Sequence, residues 1–144
     1  MDSIKERIIK AVILKLEAVP ALSPSPRQRL FRSLSSALRQ DRFPCAVLQP
    51  VTREPVMENA LPDLDHRLTV VLRLYGQGNP VDGVLDSLES DCHAAIMAHP
   101  RTLGGIARDI IPGTVDYTVE DGDMGETAMS YTILYRTSLS DLNV

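Results

Sequence analysis

Tryptophan is absent from this sequence, and other aromatic residues are scarce. The 144 residues include two phenylalanines and four tyrosines. Proteins that bind single-stranded nucleic acid stack the bases on aromatic side chains, and this chain has few such side chains to offer. The formal net charge of −4 also argues against general nucleic-acid binding, because phosphate neutralisation requires clustered lysine and arginine on a basic surface.

Cysteines and long apolar runs are scarce as well. Cys45 and Cys92 lie in apolar surroundings without the Cys-x-x-Cys spacing of a redox or metal motif. No run approaches the roughly 18 apolar residues of a membrane-spanning helix, and no charged leader followed by an apolar stretch opens the chain. We therefore expect a protein that folds in a reducing cytoplasm and binds no membrane.

The signatures of catalysis are missing too. The sequence has no Gly-x-Ser-x-Gly elbow and no Gly-x-x-x-x-Gly-Lys phosphate loop, and its three histidines show no metal-ligand spacing. The acidic stretch that begins at Asp121 resembles the start of a calcium loop, but its twelfth position is Thr132, where an EF-hand needs a bidentate carboxylate. We predict no catalytic residue, no cofactor and no metal, so the chain is not expected to be an enzyme.

Hydrophobic periodicity predicts two main helices. The first spans residues 3–19, with Ser3 as its N-cap, Glu6 completing a capping box, and apolar residues at i+4 spacing. The second spans residues 80–98, with Asn79 able to cap it and Pro80 in its first turn. Between the helices, the proline- and serine-rich residues 20–29 predict an extended connector.

Strand patterns fill the rest of the chain. Short strands are expected at residues 30–31 and at residues 44–49, the second limited to about five residues, and residues 53–62 favour a surface loop or weak hairpin. Alternating apolar residues predict a long strand at 64–75, and residues 107–137 predict a hairpin. The sum is a single α+β domain over residues 1–144, with a mixed, largely antiparallel β-sheet packed against two main α-helices.

Charge is distributed unevenly along this chain. Residues 27–42 contain one acid, Asp41, and residues 109–126 contain no lysine or arginine. The first segment holds five arginines and the second holds six acids: Arg27, Arg29, Arg32, Arg39 and Arg42, then Asp109, Asp116, Glu120, Asp121, Asp123 and Glu126. Both segments can be solvated faces; alternatively, they are surfaces that meet in an assembly.

The ordered elements resemble a known family. The stretches that carry the likeness are Ile8-Ile-Lys-Ala-Val-Ile-Leu-Lys-Leu, Phe43-Pro-Cys-Ala-Val-Leu-Gln-Pro, Arg67-Leu-Thr-Val-Val-Leu-Arg-Leu-Tyr-Gly, Val84-Leu-Asp-Ser-Leu-Glu, Leu103-Gly-Gly-Ile-Ala-Arg-Asp-Ile and Tyr131-Thr-Ile-Leu-Tyr-Arg-Thr. Together they resemble phage minor tail proteins of the tail-terminator type, similar to the U protein of lambda-like siphophages. The likeness spans nearly the whole chain and consists of packing patterns without a catalytic motif.

The resemblance implies a structural role in a virion. Members of this family assemble in the host cytoplasm as a ring, usually hexameric, at the head-proximal end of the tail tube. The ring stops tube polymerisation and meets the head–tail connector, and DNA passes through it without sequence-specific contacts. The partners implied are therefore a second copy of the chain, the tail tube protein and the connector, with no cofactor.

The ring gives the uneven charge a use, because a head-to-tail ring joins two different surfaces of each subunit. The candidate inter-subunit or tube-contact residues are Arg27, Arg29, Arg32, Arg39, Arg42, Glu120, Asp121, Asp123, Glu126, Arg53 and Glu54. Two other interpretations stay open: a head-proximal neck, adaptor or tail-completion protein, and a small ligand-binding α+β domain.

Overall fold

The fold is one five-stranded sheet with two helices on one of its faces. The computed structural model describes residues 2–24, 28–32, 43–56, 63–119 and 123–144. Along the sheet the strand order is β1-β2-β3-β5-β4, with β1 parallel to β2 and the other pairs antiparallel. The elements are α1 (Ile4–Glu17), β1 (Leu30–Phe31), β2 (Cys45–Val56), β3 (Asp63–Gln77), α2 (Val81–Met97), β4 (Asp109–Val119) and β5 (Met124–Ser138). The predicted fold class is confirmed.

The first helix begins where its sequence predicts. Ser3 is the N-cap, and its Oγ accepts a hydrogen bond from the Glu6 amide at 3.2 Å. The carboxylate of Glu6 makes two contacts with the guanidinium of Arg32, one of them 2.9 Å long. Glu6 therefore pairs with a residue far along the chain. The face that packs on the sheet consists of residues Ile4, Ile8, Ile9, Val12 and Leu16, all buried.

The connector after α1 is packed onto the domain along part of its length. Residues Pro20–Leu22 form one 3-10 turn, and Leu22 is fully buried. An extended connector was predicted because the prolines prevent an α-helix. They do not prevent a 3-10 turn, whose first position accepts proline well.

The second helix starts one residue later than predicted and lacks the predicted cap. Pro80 occupies the N-cap position without a side-chain hydrogen bond, while β3 continues through Gly76 to Gln77. Close packing explains the glycine, because a Cβ at Gly76 would lie 2.9 Å from a methyl carbon of Leu85. Val84, an apolar residue of this helix, is 39% exposed.

The long strands β3 and β5 form the centre of the sheet, and their alternation is confirmed. Thr127 of β5 lies opposite Leu74 of β3 and opposite Tyr117 of β4, which fixes the register. Side chains on the helix-covered face form the main core, including Leu68, Val70, Leu72, Leu74, Met129, Tyr131, Ile133 and Tyr135.

The second strand is longer than predicted. The sequence predicted about five residues, followed from residue 53 by a surface loop or a weak hairpin. In the structure β2 extends through Val56, antiparallel to β3, with a register shift between Pro50 and Thr52, which agrees with the hairpin alternative. Of the predicted loop, residues 53–56 belong to the strand, and residues 57–62 lie outside the described residues. The prolines are tolerated because the second half of β2 pairs with β3 on one side alone in the described part of the chain.

The two faces of the sheet differ in cover. One face packs against α1 and α2. The other, here called the open face, has no described helix on it and ends in a small apolar cluster around Tyr75 and Val47. None of the described helices is long and apolar enough to cross a membrane.

Candidate assembly surfaces

The cysteines and two of the histidines lie apart from any metal-binding cluster in the described part of the chain. No group of three or more histidine, cysteine or acidic side chains is placed to hold a metal ion within the described ranges. Burial raises the pKa of the Cys45 thiol to about 11 and that of Cys92 to about 12, so neither supplies a thiolate at neutral pH. His66 and His93 each bond a single neighbouring hydroxyl, on Thr137 at 2.9 Å and on Tyr131 at 2.8 Å.

The structure places two arginines of the basic segment in contacts within the chain. Arg29 donates to the carbonyl oxygens of Phe43 and Pro44, at 3.0 and 3.3 Å. Arg32 binds the carboxylate of Glu6. Arg27, Arg39 and Arg42 lie outside the described residues.

The acidic hairpin tip lies beside the start of α2. Glu120 and Asp121 fall outside the described residues, whereas Asp123 is exposed and its carbonyl accepts a hydrogen bond from the Gly78 amide at 2.9 Å. Glu126 is half-buried and forms an ion pair with Arg73, with 2.9 Å between Nη1 and Oε1. The hairpin itself was predicted correctly, although β4 begins two residues later than expected.

Arg53 and Glu54 lie on strand β2 and are both exposed. Arg53 is opposite Leu68, on the helix-covered face, and Glu54 is opposite Arg67, on the open face. They were predicted as neighbours in a tube-contact loop. Because successive residues of a strand point to opposite faces, the structure separates their side chains.

An ion-pair cluster that sequence reasoning missed lies at one end of the open face. Asp65 is 8% exposed and binds Arg136 at 2.7 Å and Arg108 at 3.3 Å. It links β3, β5 and the residue that precedes β4. Opposite charges directly across antiparallel strands are a sequence signal for such a pair, but they become visible only once the register is known.

A cavity that sequence reasoning also missed lies between α2 and β4. It has a volume of about 390 Å³, within the roughly 300–1,000 Å³ typical of ligand pockets. We call it the α2–β4 cavity, and its lining residues are Asp82, Gly83, Leu85, Asp86, Tyr117, Thr118, Glu126 and Thr127. Its side chains come from a helix and a hairpin that are far apart in sequence.

Strand β4 forms one edge of the sheet. In the described part of the chain it pairs with β5 alone, and most of its residues are exposed, Ile111 and Tyr117 among them. An edge of this length presents unpaired backbone groups that can accept another chain. Pro112 and the register shift between Pro112 and Val115 interrupt that edge.

Comparison with known proteins reveals a shared fold. No protein-family model and no curated protein sequence matches this chain. Among solved structures, the fold is similar to a chain in "Virion of native gene transfer agent (GTA) particle", with a TM-score of 0.65 and 9% sequence identity. The alignment covers 95% of this chain and 100% of that chain, so the likeness involves the sheet and both helices.

Proposed function

We propose that this chain is a structural protein of a phage-like virion, and that it forms the ring that closes the tail tube. The observation that carries the proposal is the whole-length similarity of fold to a chain of a gene transfer agent virion. The sequence resemblance to tail terminators, which was drawn independently of the fold, supports the more specific role.

A ring closed by head-to-tail contacts suits the distribution of surfaces. Such a ring joins two different patches of each subunit, and rotation closes it at a fixed number of copies. This chain offers an acidic hairpin tip at one end and an interrupted sheet edge along β4. The candidate contact residues at both charged segments and on β2 remain part of the proposal, with the tail tube protein and the head–tail connector as the further partners.

The test has two stages, ring formation and tube closure. Size-exclusion chromatography with light scattering is expected to give a mass of six copies of the 15.9 kDa chain, and negative-stain micrographs to show rings. Tail tube protein polymerised with an excess of this chain is then expected to give shorter tubes, each carrying label at one end.

Two results would change the proposal. Rings that bind the connector and leave tube length unchanged would indicate a neck or adaptor protein in place of a terminator. A chain that stays monomeric at all concentrations, and binds neither tube nor connector, would contradict an assembly role altogether. Bovine serum albumin at the same concentration is the control for crowding of the tubes.

A further inference from the structure

The α2–β4 cavity carries negative charge that no described cation balances. The carboxylates of Asp82 and Asp86 line it, and Glu89 lies one helical turn further along α2. Asp82 accepts a hydrogen bond from the Gly83 amide at 3.0 Å, but within the described ranges no lysine or arginine pairs with any of the three. The cavity is therefore built to attract a cation.

The floor of the cavity holds an unsatisfied polar group. Thr127 is 0% exposed, and its Oγ1 has no hydrogen-bond partner among the described residues. Next to the lining, one carboxylate oxygen of Glu89, Oε1, is also buried and has no partner in the described part of the chain. Buried polar atoms are paired in the great majority of cases, because leaving one without a hydrogen bond is unfavourable. Both oxygens can accept a hydrogen bond, and the ionised carboxylate can only accept, so a group that donates several hydrogen bonds would satisfy both.

An aromatic ring stands at the wall of the same cavity. Tyr117 of β4 is 66% exposed, and the neighbouring carboxylate of Glu89 raises the pKa of its phenol. The ring therefore lies close to the α2 side of the cavity. An exposed ring beside carboxylates suits a guanidinium group, which stacks on aromatic faces and donates several hydrogen bonds from one plane. A bare metal ion would need a ligand cluster that the described residues do not supply.

We infer that the α2–β4 cavity receives an arginine side chain of a neighbouring copy of this chain, and that Arg67 is that arginine. The inference rests on the proposed ring and names one contact within it. Arginine is the cation that this chain carries in excess, with 12 arginines among its 15 basic residues. The cavity and Arg67 then form the two halves of one heterologous interface.

Arg67 is available for such a contact. It is exposed on the open face, and its cross-strand neighbour Glu54 forms no ion pair with it. Seven other described arginines bind partners within the chain: Arg7, Arg29, Arg32, Arg73, Arg101, Arg108 and Arg136. Arg53 lies near Tyr135 and His66 and its charge favours a lower pKa in both, so Arg67 is the described arginine with neither a bonded partner nor a titratable neighbour that it perturbs.

Arg67 cannot fill the cavity of its own chain. It lies on the opposite face of the sheet from Thr127 and seven residues along β3 from Leu74, the cross-strand partner of Thr127. At about 3.3 Å per residue, that separation is roughly 23 Å. A second copy is needed to bring the two groups together.

The test uses two variants of the full chain, Arg67→Ala and the double variant D82N/D86N. Each removes one half of the contact, so each alone is expected to raise the concentration needed for half-assembly by roughly tenfold or more. Mixed in equal amounts, they retain one intact contact per pair, between Arg67 of the double variant and the cavity of Arg67→Ala. The mixture is expected to form dimers, measured by light scattering, and no rings.

Matched controls separate this contact from general effects of charge. The variant D91N/D116N makes the same change in net charge as D82N/D86N. It does so at one exposed acid of α2 and one of β4, both outside the cavity lining, and it should assemble as the wild type does. Arg101→Ala is the corresponding control for Arg67→Ala. Arg67→Lys keeps the charge but loses the planar fork, so it should assemble less well than the wild type and better than Arg67→Ala.

Each failure has its own reading. If the wild type forms rings and D82N/D86N assembles like D91N/D116N, the cavity contact is wrong while the proposed function stands. If Arg67→Ala assembles normally while D82N/D86N does not, the assignment of Arg67 as the arginine that enters the cavity is wrong. Rings from the equal mixture, at concentrations where each variant alone is monomeric, would contradict the one-contact geometry.

A monomeric wild type would contradict the ring, and the inferred contact between copies would fall with it. The chemistry of the cavity then has a separate test, titration with arginine ethyl ester followed by amide chemical shifts. Saturable shifts at Tyr117 and Thr127 that D82N/D86N abolishes would support an arginine receptor. No saturable shift would overturn it.

Discussion

The two faces of the sheet have different compositions and different degrees of burial. On the helix-covered face, Leu68, Val70 and Leu72 of β3 are at most 2% exposed. On the open face of the same strand, Thr69 and Val71 are half-buried and Arg67 is exposed. Both faces come from one continuous stretch of chain, so the difference arises from the period-two alternation of its side chains.

The difference between the two faces means that folding stability comes mainly from one of them. Close-packed apolar side chains on the covered face supply most of the hydrophobic free energy of folding. The open face carries small and polar residues that tolerate water, as on the solvated side of an antiparallel sheet. One face therefore supplies the core, and the other is free to vary in the proposed ring.

The largest expected effect comes from truncating the covered face at its centre. Leu72 is fully buried, and Leu72→Ala should lower the free energy of unfolding by about 2–5 kcal/mol, because it removes apolar contacts and leaves a cavity. Urea denaturation followed by circular dichroism measures the change.

Thr132→Ala is the matched control on the open face. Thr132 is half-buried on β5, within the same sheet, and its replacement should change the free energy of unfolding by about 0.5 kcal/mol or less. Comparable losses from the two variants would mean that the open face is as tightly packed in solution as the core.

Hydrophobic patterns that repeat several times along the chain were sufficient to predict the central strands and the first helix. The alternation in β3 and β5 and the i+4 spacing in α1 each repeat several times, so one exception does not obscure them. Ser3 was predicted as a cap, and its Oγ makes the expected bond. The fold class follows from these elements.

The errors lie where a tertiary contact overrides a local signal. Pro50 and Pro55 are unfavourable for a long β2, because proline donates no hydrogen bond to a neighbouring strand. The strand tolerates them beside a register shift and where, among the described residues, it pairs on one side alone. The α2–β4 cavity could not be predicted, because its carboxylates and Tyr117 meet only through the packing of a helix on a distant hairpin. The structure also shows that Arg29 and Arg32 already have partners, which net charge cannot reveal.

A smaller effect, of opposite sign, is expected at Thr127, a polar exception on the covered face. Replacing it with valine keeps the shape and removes the unpartnered hydroxyl, so Thr127→Val should raise the free energy of unfolding of the isolated chain by about 1 kcal/mol. If the cavity binds an arginine through that oxygen, the same variant should assemble less well. Urea denaturation of dilute protein and light scattering of concentrated protein measure the two effects.

The matched control is Thr137→Val on the same strand. Thr137 is 2% exposed, but its hydroxyl is satisfied by His66 and by the Ser138 carbonyl, both at 2.9 Å. That variant should therefore lower the free energy of unfolding by about 1 kcal/mol. Losses of stability from both variants would mean that Thr127 has a partner in solution.

The last expected effect is a pH dependence that arises at His66, the histidine of the covered face. Burial, with a smaller contribution from Arg53, holds its pKa below the ordinary 6.5. The unfolded chain then binds more protons at this residue than the folded chain does as pH falls below 6.5. The free energy of unfolding should decrease in that direction, by at most about 1.4 kcal/mol per pH unit.

Carboxylates contribute in the same acidic range, so the informative quantity is the difference between the wild type and His66→Gln. Urea denaturation at several values between about pH 5 and 7 should show a steeper decrease for the wild type. Parallel curves would mean that His66 titrates alike in both states, as a solvated side chain would. The covered face would then be open to water at its His66 end, and its contrast with the open face would be limited to the part beneath the two helices.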